Sequence, residues 1–201
     1  MRLRNIPDAL ERIQKHNLLV ENPIFVDDSW IIEVGMGKGQ MITKLAFENP
    51  SKKFLGVEKF PSAAVKSLKY VDTYNLKNFF IIISDAKNLL SMLNGKVSQL
   101  WLTFPDPWPK KKHYKRRLTY KLFLDIYKEI LTKNGILKLK TDNQKFFQYS
   151  IESLEQNGWK IIYQTNDLLN SSRVSQNVMT SYEEKWVGLG YKIQYLEATF
   201  N

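Results

Sequence analysis

Trp30-Ile31-Ile32-Glu33-Val34-Gly35-Met36-Gly37-Lys38-Gly39-Gln40 sets the architecture of this chain. A short apolar run rich in β-branched residues breaks directly into three glycines at alternate positions. The run reads as a buried strand, and a helical pattern over about 39–49 follows it. Glycine is needed where φ is positive or where a ligand must touch the backbone, because a Cβ would collide. Three such positions exceed what one strand–helix turn requires, so the loop is expected to face a ligand.

The same unit recurs along the chain. Phe54–Val57, Phe79–Ser84, Leu100–Phe104 and Ile136–Lys140 are further strand candidates. Helical patterns near 62–74, 118–132 and 143–156 separate them, with a short turn of helix near 87–93. Leu118, Leu122, Ile126 and Ile130 recur at four-residue spacing beside Phe123 and Tyr127, and Asn134-Gly135 is the expected stop. Strands alternating with helices argue for an α/β fold. Trp159–Gln164 and Tyr191–Thr199 come last, and late strands of this kind pair antiparallel at a sheet edge. The expectation is a mostly parallel seven-stranded sheet with an antiparallel edge and helices on both faces. Nothing divides the chain, so 1–201 reads as one domain, with 1–29 a leader broken at Asn22-Pro23 and 30–201 the core.

Thirty Lys and Arg against 20 Asp and Glu give 201 residues a net charge of +10. That balance favours a polyanionic partner. With no cysteine, and with His16 and His113 the only histidines, disulfides, thiolate chemistry and multi-histidine zinc sites are excluded, and no metal is expected. No apolar run approaches the ~18 residues of a membrane span, and the basic N-terminus lacks an apolar signal core. A soluble cytoplasmic protein with no membrane partner is the expectation.

The glycine loop fits one nucleotide-cofactor pattern better than its rivals. A dinucleotide fingerprint starting at Gly35 fails at its sixth position, Gln40, and no Walker pattern is present. What remains is acidic-x-G-x-G-x-G, the form used by Rossmann-like class I methyltransferases that bind S-adenosylmethionine. Glu58 then closes the second strand, where a carboxylate can accept ribose hydroxyls. After the third strand, Ser84-Asp85-Ala86 offers Asp85 to an adenine amino group. Each acid alone could be a solvated strand end; a succession of them at one edge argues for a site.

The fourth strand runs into Phe104-Pro105-Asp106-Pro107-Trp108-Pro109-Lys110-Lys111-Lys112-His113-Tyr114-Lys115-Arg116-Arg117. Three prolines fix φ and remove three donors, so the stretch is expected to be neither helix nor inner strand. Asp106 is thereby held stiffly beside a surface suited to phosphates. Trp108 and Tyr114 can stack on an exposed base. The cations precede the helix over 118–132, and an anion bound there relieves their clash with its positive end.

Together these motifs resemble the bacterial tRNA (guanine-N7-)-methyltransferases of the TrmB family. The likeness covers nearly the whole chain. It adds Arg2-Leu3-Arg4-Asn5, Gly56-Val57-Glu58, Leu139-Lys140-Thr141-Asp142-Asn143 and Thr180-Ser181-Tyr182-Glu183, while Met36 and Met41 stand at positions that vary or are often aromatic. The resemblance implies S-adenosylmethionine as methyl donor, S-adenosylhomocysteine as product, and N7 of a guanine in the tRNA variable loop as acceptor. It implies cofactor contacts from Glu33, Gly35, Gly37, Gly39, Glu58, Asp85, Ala86 and Asp106. Lys110, Asp142, Thr180, Ser181, Tyr182 and Glu183 would touch the nucleoside. Lys112, His113, Tyr114, Lys115, Arg116 and Arg117 would meet the tRNA, and either a monomer or a homodimer fits.

Guanine N7 carries an in-plane lone pair and no proton, so its alkylation needs no general base. Positioning can then supply much of the barrier reduction, up to ~7–11 kcal/mol. Asp106 is the expected catalytic position, with Asp142 helping it to favour the purine as it turns cationic. Simpler roles exist: Asp142 could cap a helix, and Thr180 with Glu183 has the form of a capping box. Trp186, Tyr191 and Tyr195 are expected in the core. Enzymes that methylate exocyclic amines carry an Asp/Asn-Pro-Pro-aromatic motif after the same strand, and Asp106-Pro107-Trp108-Pro109 is close to it. A non-catalytic RNA-binding domain and a nicotinamide oxidoreductase are the other readings; the intact glycines and acids count against the first, Gln40 and the basic run against the second.

Overall fold

A computed structural model describes residues 4–20 and 23–200; Arg2, Leu3 and Asn22 of the segments above lie outside them. In chain order the elements are α1 (Ala9–Lys15), β1 (Ile24–Val26), β2 (Trp30–Val34), α2 (Gln40–Glu48), β3 (Lys53–Glu58), α3 (Pro61–Ala64), α4 (Leu68–Tyr74), β4 (Phe79–Ile83) and α5 (Leu89–Met92). There follow β5 (Leu93–Gly95), β6 (Val97–Thr103), α6 (Lys121–Ile130), β7 (Leu131–Thr141), α7 (Gln144–Gln156), β8 (Trp159–Thr165), α8 (Ser181–Gly188) and β9 (Gln194–Phe200).

Seven strands form one sheet in the order β4-β3-β2-β6-β7-β9-β8. The first five are parallel, and β9 runs antiparallel to both β7 and β8. Strand order reverses between β2 and β6, and a crevice outside the carboxyl ends of strands opens at such a switch point. Alternation along the strands divides the core. Ile32, Val34, Leu100, Leu102, Leu137 and Leu139 pack with Phe123, Tyr127 and Leu154 of α6 and α7. Ile31, Phe54, Ile81, Trp101 and Tyr195 pack with Ile42, Leu68 and Val71 of α2 and α4 on the other face. Burying each such aliphatic side chain stabilises the fold by roughly 1.5–3 kcal/mol.

Several sequence expectations need correction. α6 starts at Lys121 and stops at Ile130, and the chain passes straight into β7 without a glycine stop. Leu131 already pairs with Val97, and the register slips before Ile136 meets Gln99. Gly135 lies in that slip, where a Cβ would sit 2.9 Å from the Leu131 side chain. The buried face of α6 is Phe123, Leu124, Ile126, Tyr127 and Ile130, while Leu122 is exposed. The helix expected over 62–74 is broken by a tight turn at Val65–Ser67. Residues Lys111–Arg116 do form a short 3₁₀ helix, because the three prolines all precede it. Of the three late aromatics only Tyr195 is core; Tyr191 is exposed.

The leader is built in as well. Ala9 and Ile13 of α1 are buried, and the Ile6 amide donates to Ser62 Oγ at 2.9 Å. Val20 and Leu18 bond Ile81, covering part of the β4 edge, and β1 pairs with β5 as a separate parallel ribbon. No helix among the described residues is long and apolar enough to cross a membrane.

Candidate active site

Gly35, Gly37 and Gly39 all have positive φ, at 76°, 56° and 67°. The Gly35 and Met36 amides both donate to Val57 O, folding the loop over the end of β3. Glu58 then orders it: Oε2 accepts from the Gly37 amide at 2.9 Å and Oε1 from the Phe60 amide at 3.0 Å. A Cβ on Gly39 would come within 2.7 Å of Ser67 Cβ, so packing alone explains that glycine. Gly37 differs, because its missing Cβ faces open space. That is the approach a ligand would use.

Glu33 lies beneath this loop with 2% of its surface exposed, and its Oε2 has no hydrogen-bond partner. Burial pushes its carboxyl up to about 8, with the Lys140 charge opposing. Lys140 is itself 1% exposed and donates to Glu183 Oε2 at 2.6 Å, Asn177 Oδ1 at 2.8 Å and Val178 O at 3.0 Å. Burial lowers the Lys140 ammonium, and Glu183 resists the shift. The expected substrate role of Glu183 therefore gives way: its carboxylate is fully buried between Lys140 and Asn177, which donates at 2.8 Å. The capping box is half made. Thr180 Oγ1 accepts from the Glu183 amide at 3.1 Å, but the Glu183 side chain turns inward to Lys140.

The proline turn after β6 is held in a demanding conformation. Phe104 and Trp108 have φ of 49° and 42°, an outlying region for bulky residues that concentrates at functional sites. Asp106 between them is exposed and makes no hydrogen bond or ion pair among the described residues, so it caps nothing. Arg117 supports the turn: Nε donates to Pro107 O and Nη2 to Trp108 O, both at 3.1 Å. Its guanidinium also lies 4.1 Å from the Tyr149 ring centroid. Arg117, expected to contact the tRNA, thus also holds the turn through two of its guanidinium nitrogens. Arg116 stacks on Trp108 at 4.9 Å, His113 meets the same ring edge-on, and Lys110, Lys111 and Lys112 are exposed.

Asp142 accepts from the Tyr182 hydroxyl at 2.9 Å, and Tyr182 packs on Phe104 at 4.9 Å. Burial and the Asp142 carboxylate push the Tyr182 hydroxyl up to about 12. The cap of α7 is Asn143, whose Oδ1 accepts from the Phe146 amide, which leaves Asp142 free of that duty. Gln40 at the start of α2 both donates to Ser181 Oγ and accepts from the Ser181 amide, each at 3.0 Å. Sequence reasoning used Gln40 only to exclude a fingerprint, and it saw Lys140 only as part of a motif. The signal for Lys140 was a lysine two positions after Lys138, alternating with Leu137 and Leu139 on an otherwise apolar strand. On the third strand end, Asp85 accepts from Lys59 Nζ at 3.0 Å and from the Lys87 amide at 3.1 Å. Burial raises its carboxyl, but these bonds outweigh burial and hold it below the usual range. Ala86 beside it is buried.

Glu33, Glu58, Asp85, Asp106 and Asp142 thus stand at the ends of, or just after, β2, β3, β4, β6 and β7, along one edge of the sheet. Comparison with known proteins places that edge in a family. The methyltransferase family model Methyltransf_4 matches residues 27–196. The tRNA (guanine-N(7)-)-methyltransferase of Mesomycoplasma hyopneumoniae (strain 232) is 72% identical over 200 residues, spanning 100% of both chains. Its counterpart from Mycoplasmopsis pulmonis (strain UAB CTIP) is 50% identical over 201 residues, 100% of this chain and 99% of that one. Among solved structures, the 16S rRNA methyltransferase KamB superposes on 100% of this chain and 96% of its own, with a TM-score of 0.63 at 14% identity. That likeness is one of fold, the mostly parallel seven-stranded sheet of class I S-adenosylmethionine-dependent methyltransferases. The fold, the glycine loop and identity across the full length establish that the chain belongs to the tRNA (guanine-N(7)-)-methyltransferase family.

Proposed function

We propose that this chain transfers a methyl group from S-adenosylmethionine to N7 of a guanine in tRNA, leaving 7-methylguanosine and S-adenosylhomocysteine. The observation that carries the reading is the cradle under the glycine loop. Glu33 Oε2 is buried without a partner, and Gly37 opens to space where a Cβ would stand. Glu58 accepts two backbone donors and, as a carboxylate, has acceptor capacity left for two hydroxyls. An ammonium, a ribose and an adenine are the groups these acids suit. Glu33 would take the first, Glu58 the second, and Asp85, with Ala86 beside it, the third.

When bound, S-adenosylmethionine supplies an electrophilic methyl group on its sulfonium. The residues of the chain hold the acceptor. N7 has no proton to lose, so no side chain needs to act as a base before attack. Asp106 and Asp142 present carboxylates to the guanine edge and favour the purine as it becomes cationic. Tyr182 donates to Asp142 and fixes its rotamer. Lys110, Thr180 and Ser181 would border the same space, with Ser181 held by two hydrogen bonds to Gln40. Lys112, His113, Tyr114, Lys115 and Arg116 meet the phosphates and bases around it.

The test incubates the protein with labelled S-adenosylmethionine and unmodified tRNA transcripts, then digests the RNA and identifies the methylated nucleoside. The expected product is 7-methylguanosine, absent with Asp106→Ala. In single-turnover assays Asp106→Asn should slow methyl transfer about 100- to 1000-fold, the scale of one lost electrostatic contact to developing charge. Wild-type turnover by that variant would remove Asp106 from the mechanism. A nucleoside methylated on an exocyclic amine would move the chain to a different reaction.

A further inference from the structure

A cavity lies on the face of the sheet opposite α2, where the basic 3₁₀ helix meets α6 and α7. Its volume is about 380 Å³, within the range of small-ligand pockets. Tyr114, Tyr120 and Tyr149 form its aromatic walls, and Lys121, Glu152 and Gln156 stand at its polar border. We propose that this pocket takes an unpaired nucleobase of the tRNA, at a point of contact separate from the guanine that is methylated. The proposal rests on the tRNA reading above.

Its chemistry fits a flat, polar-edged ring. Tyr114 meets Tyr120 edge to face at 5.2 Å and has the Lys115 ammonium 6.0 Å from its ring centroid, yet 41% of Tyr114 stays exposed. One face of Tyr149 carries the Arg117 guanidinium at 4.1 Å, and the Pro107 and Trp108 carbonyls hold that guanidinium in place. The wall is therefore preorganised. Aromatic rings and guanidinium planes of this kind are what unstacked RNA bases pack against. Glu152 offers acceptors and Gln156 both donors and acceptors for a base edge. Glu152 already accepts from Gln148, and Lys121 pairs with Asp125 at 2.6 Å, so neither end of the border swings freely. Lys111, Lys112 and Lys115 are exposed on the adjoining helix, where the phosphates flanking a bound base would lie. A peptide side chain would leave those cations without partners, and a nucleotide would not.

Stacking and phosphate contact can be told apart by salt. Neutralising phosphates releases counterions and steepens the dependence of log affinity on log salt, whereas stacking shifts affinity at every salt concentration alike. tRNA binding would be followed by fluorescence anisotropy across a salt series for wild type, Tyr114→Ala, Gln156→Trp and Lys112→Ala. Tyr114→Ala removes one wall, and Gln156→Trp fills the pocket from the exposed end of α7, so the two changes do not share a folding risk. Both are expected to weaken binding roughly 5- to 100-fold with the slope unchanged. Lys112→Ala is expected to lower the slope by about 0.7–0.9. Binding within twofold of wild type for both pocket variants would overturn the proposal. So would a loss confined to the slope. If wild type bound no tRNA at all, the functional reading itself would fall and the pocket with it.

Discussion

Arg117 shows how one residue can carry a role its neighbours hide. It closes a run of cations, yet its Nε and Nη2 reach back to the carbonyls of Pro107 and Trp108 in the Asp106 turn. Arg117→Lys keeps the charge and loses the planar fork, so it separates support from phosphate contact. Its salt slope should stay unchanged while single-turnover methyl transfer at saturating tRNA falls tenfold or more, the scale of a small misplacement near the chemistry. Arg116→Ala should do the reverse, flattening the slope first. Glu33 makes a pH-dependent prediction. Burial raises its carboxyl from 4.5 to about 8, so between those values the folded chain keeps a proton that the unfolded chain has lost. Stability therefore declines as pH rises through that window, by an amount on the order of 5 kcal/mol for this one group. Urea melts at pH about 5 and about 9 should show wild type losing stability relative to Glu33→Gln; parallel pH profiles would mean that Glu33 is solvated. If an ammonium pairs with Glu33, cofactor binding near neutral pH releases that proton, which calorimetry in two buffers of different ionisation enthalpy reads directly.

At the scale of elements, α8 is held to the sheet by a buried ion pair. Lys140 of β7 and Glu183 of α8 are 2.6 Å apart and almost without solvent exposure. Such a pair is a poor source of net stability, but removing one partner leaves a buried charge and costs about 3–5 kcal/mol. Lys140→Ala and Glu183→Ala should each lose that much in denaturant melts, while Lys140→Met combined with Glu183→Leu should recover most of it. Methyl transfer should stay impaired in the double variant, because Asn177 loses its bond to Glu183 and the start of α8, which carries Ser181 and Tyr182, loses its polar tie to β7. Equal recovery of stability and activity would reduce the pair to packing. Little of this was legible beforehand. A capping box explains Thr180 and Glu183 locally, and only long-range pairing reveals that the Glu183 side chain turns away from its own helix. The same limit applies to α6. Four-residue spacing placed Leu122 inward beside Phe123, Ile126, Tyr127 and Ile130, but the helix starts three residues later than that spacing suggests; those four are buried, Leu122 is exposed and Leu124 is buried as well.

Across the whole molecule, the strands that build the site were legible and the segments that cover it were not. Fully buried parallel strands are apolar throughout and end in glycine or an acid, so β2, β3, β4 and β6 announce both themselves and the active edge. α1, β1 and β5 are short: α1 docks by burying Ala9 and Ile13, and β1 and β5 form by pairing with each other, Val26 opposite Gly95, which no local pattern reports. Strand polarity also sorts the charge. The net +10 is spread along the sequence, but Lys110, Lys111, Lys112, Lys115 and Arg116 lie just past the carboxyl end of β6, whereas Lys96 and Lys133 lie at the opposite edge. A strand of five or six residues separates the two edges by ~17–20 Å, about twice the Debye length at physiological salt. Only the first group should feel the phosphates of a tRNA seated over the crevice. If each of those five side chains neutralises one phosphate, log affinity should fall with log salt at a slope of about −3.5 to −4.5. Lys112→Ala with Lys115→Ala should reduce that slope by about 1.4–1.8, and Lys96→Ala with Lys133→Ala should leave it unchanged. Equal effects from the two pairs would mean that net charge alone draws the RNA, with no seat at the carboxyl edge of the sheet.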